Sequence, residues 1–498
     1  MSSQAEPHGA VPAAHELGRR ALSLGAANAF DFAIQFLLPV VLARCLAADD
    51  FGQYRLLWLA VGTIMAITNL AMPATLYYYL PRSDGATKRL YINQTLLYLA
   101  LCGVLAGWAV SAWNPWLPEK MRGLAAHEAA VPAFVLLWVT ASLLDLLPTI
   151  EERIAWQAKA IVGLATLRAV ALSLVAAATR ELGPVLMVLL AFVAFKVALL
   201  LGYVAKHHGL RGPIVRWGAF AEQLRYAAPF GVSGALYGLR AQADQWVAAA
   251  LFPLGMFASF SIAAVLAPLV NLCRMSINYA FLPSMSRLQA AGNIAATLEL
   301  NSRANTMVGM LVYPLLAFAF VFAEELIVLV YTGTYVDAAP VMRVYIVGLA
   351  ALVVELASIT LLLRLGAFVL ALNAVSLVVS VAINWIAALH FGLAGAAVGT
   401  VATILADRIA TLARVARQTG IPVGRLQDWR ALGASMLFAA LAAALAWAVT
   451  DRFLAAAGPL ARVIAGGAVM AVAYALMAGK SVTGRAWLAA LRGARPGS

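Results

Sequence analysis

The chain has 498 residues, 63% of them hydrophobic and only 11% charged, with a formal net charge of +13. Soluble domains carry about 25% charged residues, so this composition excludes an ordinary soluble enzyme or binding domain. Basic residues in loops beside anionic lipid headgroups explain the positive charge, and no nucleic-acid partner is needed.

Residues 1–20 are polar and end in Arg19-Arg20, so the first apolar helix is expected to act as an uncleaved anchor. About fourteen apolar stretches of membrane-spanning length follow. They lie at 22–44, 56–80, 90–112, 130–148, 154–179, 184–205, 226–251, 257–282, 306–331, 340–363, 367–389, 393–413, 431–450 and 460–479. The fold class is therefore an all-α polytopic membrane protein. No stretch between the spans is long enough for a soluble catalytic domain. Cys45, Cys102 and Cys273 lie in or beside apolar spans and show neither disulfide nor metal spacing. No Walker A loop, HExxH or nucleophile elbow is present, so neither a cofactor nor enzymatic chemistry is expected.

An even number of spans puts both termini on one side. The loops on that side hold most of the 35 Lys and Arg residues, Arg82, Lys88, Arg89, Arg216 and Arg408 among them, which predicts cytoplasmic termini. Two basic segments with Trp or Leu, 211–217 and 485–492, have the composition of interfacial helices. A merely solvated loop is the alternative for the first.

Helices one to six resemble seven to twelve. Asp50-Phe51-Gly52 and Pro253-Leu254-Gly255 follow the first and seventh spans, Leu80-Pro81 and Leu282-Pro283 close the second and eighth, and Pro132 and Pro340 open the fourth and tenth. An ordered offset of roughly 200 residues marks an internal repeat. An even number of helices per repeat gives both halves the same orientation. The expected organisation is a tail at 1–21, an N-lobe at 22–205, a cytoplasmic linker at 206–225 and a C-lobe at 226–413. A loop at 414–430, two extra helices at 431–479 and a cytoplasmic tail at 480–498 complete it.

A charge at mid-bilayer costs about 3 kcal/mol on insertion scales and is a functional candidate by default. Polar residues recur at helical steps of three and four: Asn28, Asp31 and Gln35 in helix one; Ser233, Tyr237, Arg240 and Asp244 in helix seven; Asn271, Arg274 and Asn278 in helix eight. Such stripes are expected to face a wet interior. Arg240 and Asp244 stand four apart and could instead neutralise each other. Arg274 could snorkel to the interface. Arg168 and Lys196 add further intramembrane cations, and Asp145 and Glu355 fall at equivalent places in helices four and ten. Guanidinium groups facing a lumen suit an anion, phosphate above all.

With Asp50-Phe51-Gly52-Gln53-Tyr54, the Tyr77–Pro81 helix end, Asp244-Gln245-Trp246-Val247, Phe281-Leu282-Pro283 and Tyr331-Thr332-Gly333-Thr334-Tyr335, the chain resembles the multidrug, oligosaccharidyl-lipid and polysaccharide exporter superfamily. The likeness lies in its polysaccharide-transporter, or O-antigen flippase, branch. It covers residues 18–420. The resemblance implies two six-helix lobes, alternating access, and a polyprenyl-pyrophosphate-linked glycan moved across the bacterial inner membrane. Related lipid II flippases have an arginine on helix eight, where Arg274 stands. Their first-helix arginines are replaced here by Asn28 and Asp31.

The expected substrate is thus a lipid-linked oligosaccharide bound by Arg240, Arg274, Arg168, Lys196, Tyr237, Asn271 and Asn278. Membrane lipids surround it, and glycan polymerases and glycosyltransferases of the same pathway are expected partners. The alternative is a cation-coupled multidrug or small-molecule exporter, with Asp31 and Asp244 carrying the ion. A membrane glycan polymerase or ligase would call for a long outer loop, which this chain lacks.

Overall fold

The computed structural model of the protein describes residues 14–125, 127, 129–209 and 212–480. Arg211 and the whole of 485–492, both expected at the interface, lie outside the described residues, whereas Trp217 opens a helix and is highly exposed. All secondary structure among the described residues is helical, as lipid requires: a helix satisfies its own backbone hydrogen bonds where water cannot.

Contacts divide the chain into two units, Met1–Ala235 and Leu236–Ser498. The first holds α1 (Ala14–Cys45), α2 (Ala48–Thr68), α3 (Gly85–Ala109), α4 (Ala130–Ala141), α5 (Ile154–Thr179), α6 (Leu182–His208) and most of α7 (Trp217–Ala241). The second holds α8 (Ala243–Leu251), α9 (Leu254–Ala263), α10 (Leu266–Ala290), α11 (Ile294–Val321), α12 (Ala323–Val330) and α13 (Ala338–Leu352). It continues with α14 (Ala357–Leu362), α15 (Gly366–Gly395), α16 (Val398–Thr419), α17 (Trp429–Leu454) and α18 (Pro459–Lys480).

Among the described residues, ten helices are long and apolar enough to cross a membrane, or eleven if the pair Ala48–Thr68 and Pro73–Arg82, bent by 50°, is one span. The expected spans at 226–251, 340–363 and 393–413 are not among them. The first two are interrupted, at Gln242 and at 353–356, and the third is a charged helix carrying Asp407 and Arg408. The eighth span was expected to close at Leu282-Pro283. Instead Pro283 lies inside α10, which runs on to Ala290. A membrane helix tolerates proline where neighbours satisfy the freed carbonyl.

Unit 1 packs around Leu76, Leu99, Leu143, Leu147 and Leu200, all fully buried. Its boundary falls inside α7, beyond the expected linker at 206–225, because the first half of α7 is held by a buried polar knot. Gln94 Nε2 donates to Gln223 Oε1 at 2.6 Å, and Gln223 Nε2 donates to Thr75 Oγ1 at 2.8 Å and to Thr95 Oγ1 at 3.0 Å. Gly231 meets the backbone of Leu70 so closely that a Cβ would sit 2.4 Å from its carbonyl carbon. Leu70 and Ala71 themselves have positive φ, which places the bend of the broken span there.

In unit 2, α17 and α18 dock through Ala442, Ala443, Ala446 and Met470 against Phe322. Small residues let membrane helices approach closely. Tyr474 Oη donates to the Met310 carbonyl at 3.0 Å, and Arg462 pairs with Glu325 at 3.0 Å.

At one end of unit 1, Glu151 joins the loop before α5 to the end of α6. Its Oε1 lies 2.5 Å from His208 Nε2, and Tyr203 Oη donates to its Oε2. Burial alone would raise the Glu151 carboxyl, but the hydrogen bonds from His208 and Tyr203 outweigh it and hold the group below its ordinary 4.5.

Two outcomes are expected. Gln223→Leu leaves the Gln94 amide without its acceptor, at a cost of about 1–3 kcal/mol, and lowers the melting midpoint of the detergent-solubilised protein by several degrees. An unchanged midpoint would show that the knot contributes nothing. For Glu151, a depressed folded-state pKa gives stability that is present above the unfolded value and lost as pH falls through the folded one. Melting midpoints should therefore drop as pH falls below about 4.5, and Glu151→Gln should flatten that dependence.

Candidate functional site

The charged side chains singled out from sequence form three separate groups. In unit 1, α1 and α5 lie side by side, bringing Asp31 and Arg168 together with Arg168 Nη2 3.2 Å from Asp31 Oδ1. Gln35, one turn along α1, donates to Asp31 Oδ2 at 2.6 Å, so two of the three residues of the stripe expected on helix one meet, while Asn28 is exposed. A turn of 3-10 helix, Ser142–Asp145, interrupts the fourth span and ends in the carboxylate that Lys196 of α6 approaches at 2.8 Å. The Lys196 ammonium also lies 5.2 Å from the centroid of the Trp138 ring. These side chains line a cavity of about 150 Å³ within unit 1. Arg168 and Lys196, read from sequence as free cations for an anion, each face a carboxylate.

In unit 2, Arg240 near the end of α7 does not neutralise Asp244. The helix breaks at Gln242, between the two residues, so the four-residue helical step that would bring them together is lost. Arg240 pairs instead with Asp407 of α16 and donates to Asn373 Oδ1 of α15 at 2.7 Å; Ser376 Oγ donates to the other Asp407 oxygen at 2.6 Å. Arg274 on α10 pairs with Glu355 and donates to Asn271 Oδ1 at 2.8 Å, while Asn278 Nδ2 donates to the Arg274 carbonyl at 3.1 Å. It does not snorkel: its side chain is 12% exposed. Tyr237, expected on the same stripe as Arg240, is 61% exposed.

The sequence reading missed Arg408 here, having counted it among loop residues. It lies within α16, where its charge interacts with Glu355, Asp407, Arg274 and Arg240. Its Nε is buried without a hydrogen-bond partner among the described residues. Arg240 and Arg274 are thus each paired with a carboxylate, and Arg408 feels both carboxylates through charge without an ion pair among the described residues. The signal was present in sequence as the Asp407-Arg408 pair inside an otherwise apolar stretch.

Asp244 forms the third group. It is 3% exposed, accepts from Tyr345 Oη at 2.7 Å and from the Gln245 backbone at 2.7 Å, and is in no salt bridge among the described residues. Thr400 also hydrogen-bonds to it, and Asn384 Oδ1 accepts from the Thr400 backbone at 3.1 Å. No cluster of three or more His, Cys, Asp or Glu suited to a metal occurs among the described residues.

A family model described as "Polysaccharide biosynthesis protein" matches residues 41–340. Comparison with curated protein sequences returns no match. Among solved structures, a lipid II flippase MurJ in an inward closed conformation is similar with a TM-score of 0.67 at 11% identity, over 91% of this chain and 98% of that one. An inward-facing multidrug resistance MATE family transporter of the MOP superfamily gives 0.57 at 11% identity, over 78% and 96%. A MOP superfamily transporter from Pyrococcus furiosus gives 0.53 at 14% identity, over 81% and 96%. The fold is that of this superfamily of multi-pass membrane transporters.

Removing Asp407 leaves Arg240 buried beside Arg408 with no anion, a loss on the order of 3–5 kcal/mol for a broken buried pair. Asp407→Ala alone should therefore lower thermal stability more than Asp407→Ala combined with Arg240→Ala, measured by size-exclusion after heating. A loss in the double variant equal to the sum of the losses in Asp407→Ala and Arg240→Ala would mean that the pair is not coupled.

Proposed function

Because the chain belongs to the polysaccharide biosynthesis protein family, we propose that it is a flippase for a polyprenyl-pyrophosphate-linked glycan. It would carry the headgroup from the cytoplasmic to the periplasmic leaflet of a bacterial inner membrane, with both of its own termini cytoplasmic. The observation that carries this reading is the charge balance in unit 2. Arg240, Arg274 and Arg408 exceed Asp407 and Glu355 by one positive charge in a segment where uncompensated charge is costly. A diphosphate supplies the missing negative charge, and guanidinium groups match its oxygens in pairs.

Arg408, which has the least compensation, would make first contact with the diphosphate. Arg240 and Arg274 would exchange part of their bonding with Asp407 and Glu355 for phosphate oxygens. Outward transfer of an anionic headgroup down an inside-negative potential gains about 2.3 kcal/mol per charge at 100 mV. Such a step needs no nucleotide.

A second reading, cation-coupled export of a small molecule, is favoured by Asp244. Asp31 already has a cation in Arg168, but Asp244 has hydroxyl and amide neighbours and no basic partner among the described residues. A proton or a monovalent cation would complete it.

Two variants in a deletion strain separate these readings. Arg408→Gln keeps hydrogen-bonding capacity, removes the excess charge, and should abolish surface glycan while leaving protein amount unchanged; normal glycan display sinks the diphosphate assignment. Asp244→Asn should leave glycan display intact if membrane potential alone drives transfer. Loss of display together with loss of ion-dependent transport in proteoliposomes would favour coupling through Asp244.

A further inference from the structure

The cavity inside unit 1 has a different chemistry from the arginine cluster. Its charges cancel: Asp31 is matched by Arg168, and Asp145 by Lys196. No net charge remains to hold a phosphate or a metal cation. What remains is unspent hydrogen bonding beside apolar surface.

Gln157 is 2% exposed and lines this cavity. Its Nε2 donates to the Asp145 carbonyl at 3.1 Å, but its Oε1 is buried with no partner. Arg168 lines the same cavity, and its Nε is likewise buried without a partner. A buried acceptor left unpaired costs about 1–3 kcal/mol, and a neutral ligand bearing hydroxyls can satisfy it. One hydroxyl can donate to Gln157 Oε1 and accept from another group, which a phosphate oxygen cannot do.

The size and walls narrow the ligand further. The cavity measures about 150 Å³, the size of an engineered cavity that admits the six-membered ring of benzene. Trp138, Leu164 and Phe192 give it apolar walls, while Asp31, Gln35 and Asp145 place acceptors around them. An aromatic wall with carboxylate and amide groups around a ring-sized space suits a pyranose, whose C–H groups are apolar and whose edge is polar.

We propose that the cavity of unit 1 is a monosaccharide subsite, taking one sugar ring of the glycan headgroup with a hydroxyl donated to Gln157 Oε1. This inference rests on the lipid-linked glycan reading above and assigns it a sugar-recognition site. The two ion pairs hold Asp31 and Asp145 in place as hydroxyl acceptors. They do not bind the diphosphate.

The test uses the full chain in lipid nanodiscs and two probes: undecaprenyl pyrophosphate, and the lipid-linked oligosaccharide extracted from a source strain lacking this chain. The wild type is expected to bind the oligosaccharide lipid more tightly. Gln157→Leu, which keeps the volume and removes the acceptor, should weaken the oligosaccharide lipid about ten-fold and leave the bare diphosphate lipid unchanged. Trp138→Leu should have the same selective effect through the wall, so a folding failure in one variant leaves the other decisive. Equal wild-type affinity for both lipids, or equal changes for both in the variants, overturns the subsite and leaves the flippase reading standing. Unaltered oligosaccharide binding in both variants means that the cavity holds ordered water only, and also overturns it. Failure of the wild type to bind either lipid overturns the flippase reading, and the subsite with it.

Discussion

A charge within a bilayer has to be answered by another charge, by hydrogen bonds or by water. That constraint shapes the helices as much as the pairs. Glu355 lies in a break between α13 and α14, where the backbone has left its helical ladder. Asn305 Oδ1 accepts from the Glu355 backbone amide at 3.1 Å, and Asn301 and Asn305 donate to its carbonyl at 3.0 and 3.2 Å. One Glu355 oxygen accepts from the Ala357 amide at 2.6 Å and starts the next helix, leaving the other for Arg274. The asparagines of α11 therefore make the interruption tolerable, and the interruption aims the carboxylate. Replacing those asparagines with apolar residues would strand backbone groups in a region with no water to satisfy them.

The two units answer the constraint differently. The cavity of unit 1 balances its charges pair by pair and keeps a small polar space between them. The arginine cluster of unit 2 leaves an arginine over, with Asp244 standing apart from it. An uncompensated guanidinium destabilises the free protein, and an anion that relieves it binds with part of that cost returned as affinity. The same excess charge makes release unfavourable unless the cluster becomes hydrated or its arginines return to Asp407 and Glu355. On the proposed binding of a diphosphate, the carboxylates would compete with the ligand. Competition of this kind suits a carrier, which has to let go of what it binds.

Most of the fold was legible because apolar length is a strong local signal. The polar stripes were legible only where one helix stays regular. Asp31 and Gln35 sit on an unbroken stretch of α1 and do meet, and Asn271, Arg274 and Asn278 do so on α10. The stripe on helix seven failed at Gln242, where no proline or glycine marks the break. The partner of Arg240 stands 167 residues away in sequence, beyond the reach of any periodicity. Arg408 fell inside the expected span at 393–413 and was nevertheless counted with the loops, because a tally of basic residues by side does not separate the last turns of a helix from the loop after it. The equivalence of Asp145 and Glu355 came from the internal repeat. Each now stands at an interrupted helix against a cation, Lys196 in one case and Arg274 in the other.

Among the helices that fall short of the apolar criterion are α7, α8 and α16, which carry Arg240, Asp244, Asp407 and Arg408, and Glu355 lies in the break between two more, α13 and α14. Hydropathy scores a helix by how well lipid would accept it. A helix shielded by neighbours can spend residues on charge, and a broken one can turn backbone groups toward a ligand. Weak hydropathy in a chain otherwise rich in strong spans is therefore positive information about function. By the same reasoning Asp244 stands apart: it lies at the start of α8 just after the break, with Tyr345 and Thr400 offering hydroxyls instead of a cation. A group so placed can gain or lose a proton without breaking an ion pair. Asp407 and Glu355 would each give up an ion pair on protonation, so among the intramembrane carboxylates of these two groups Asp244 is the one a proton can reach without that loss.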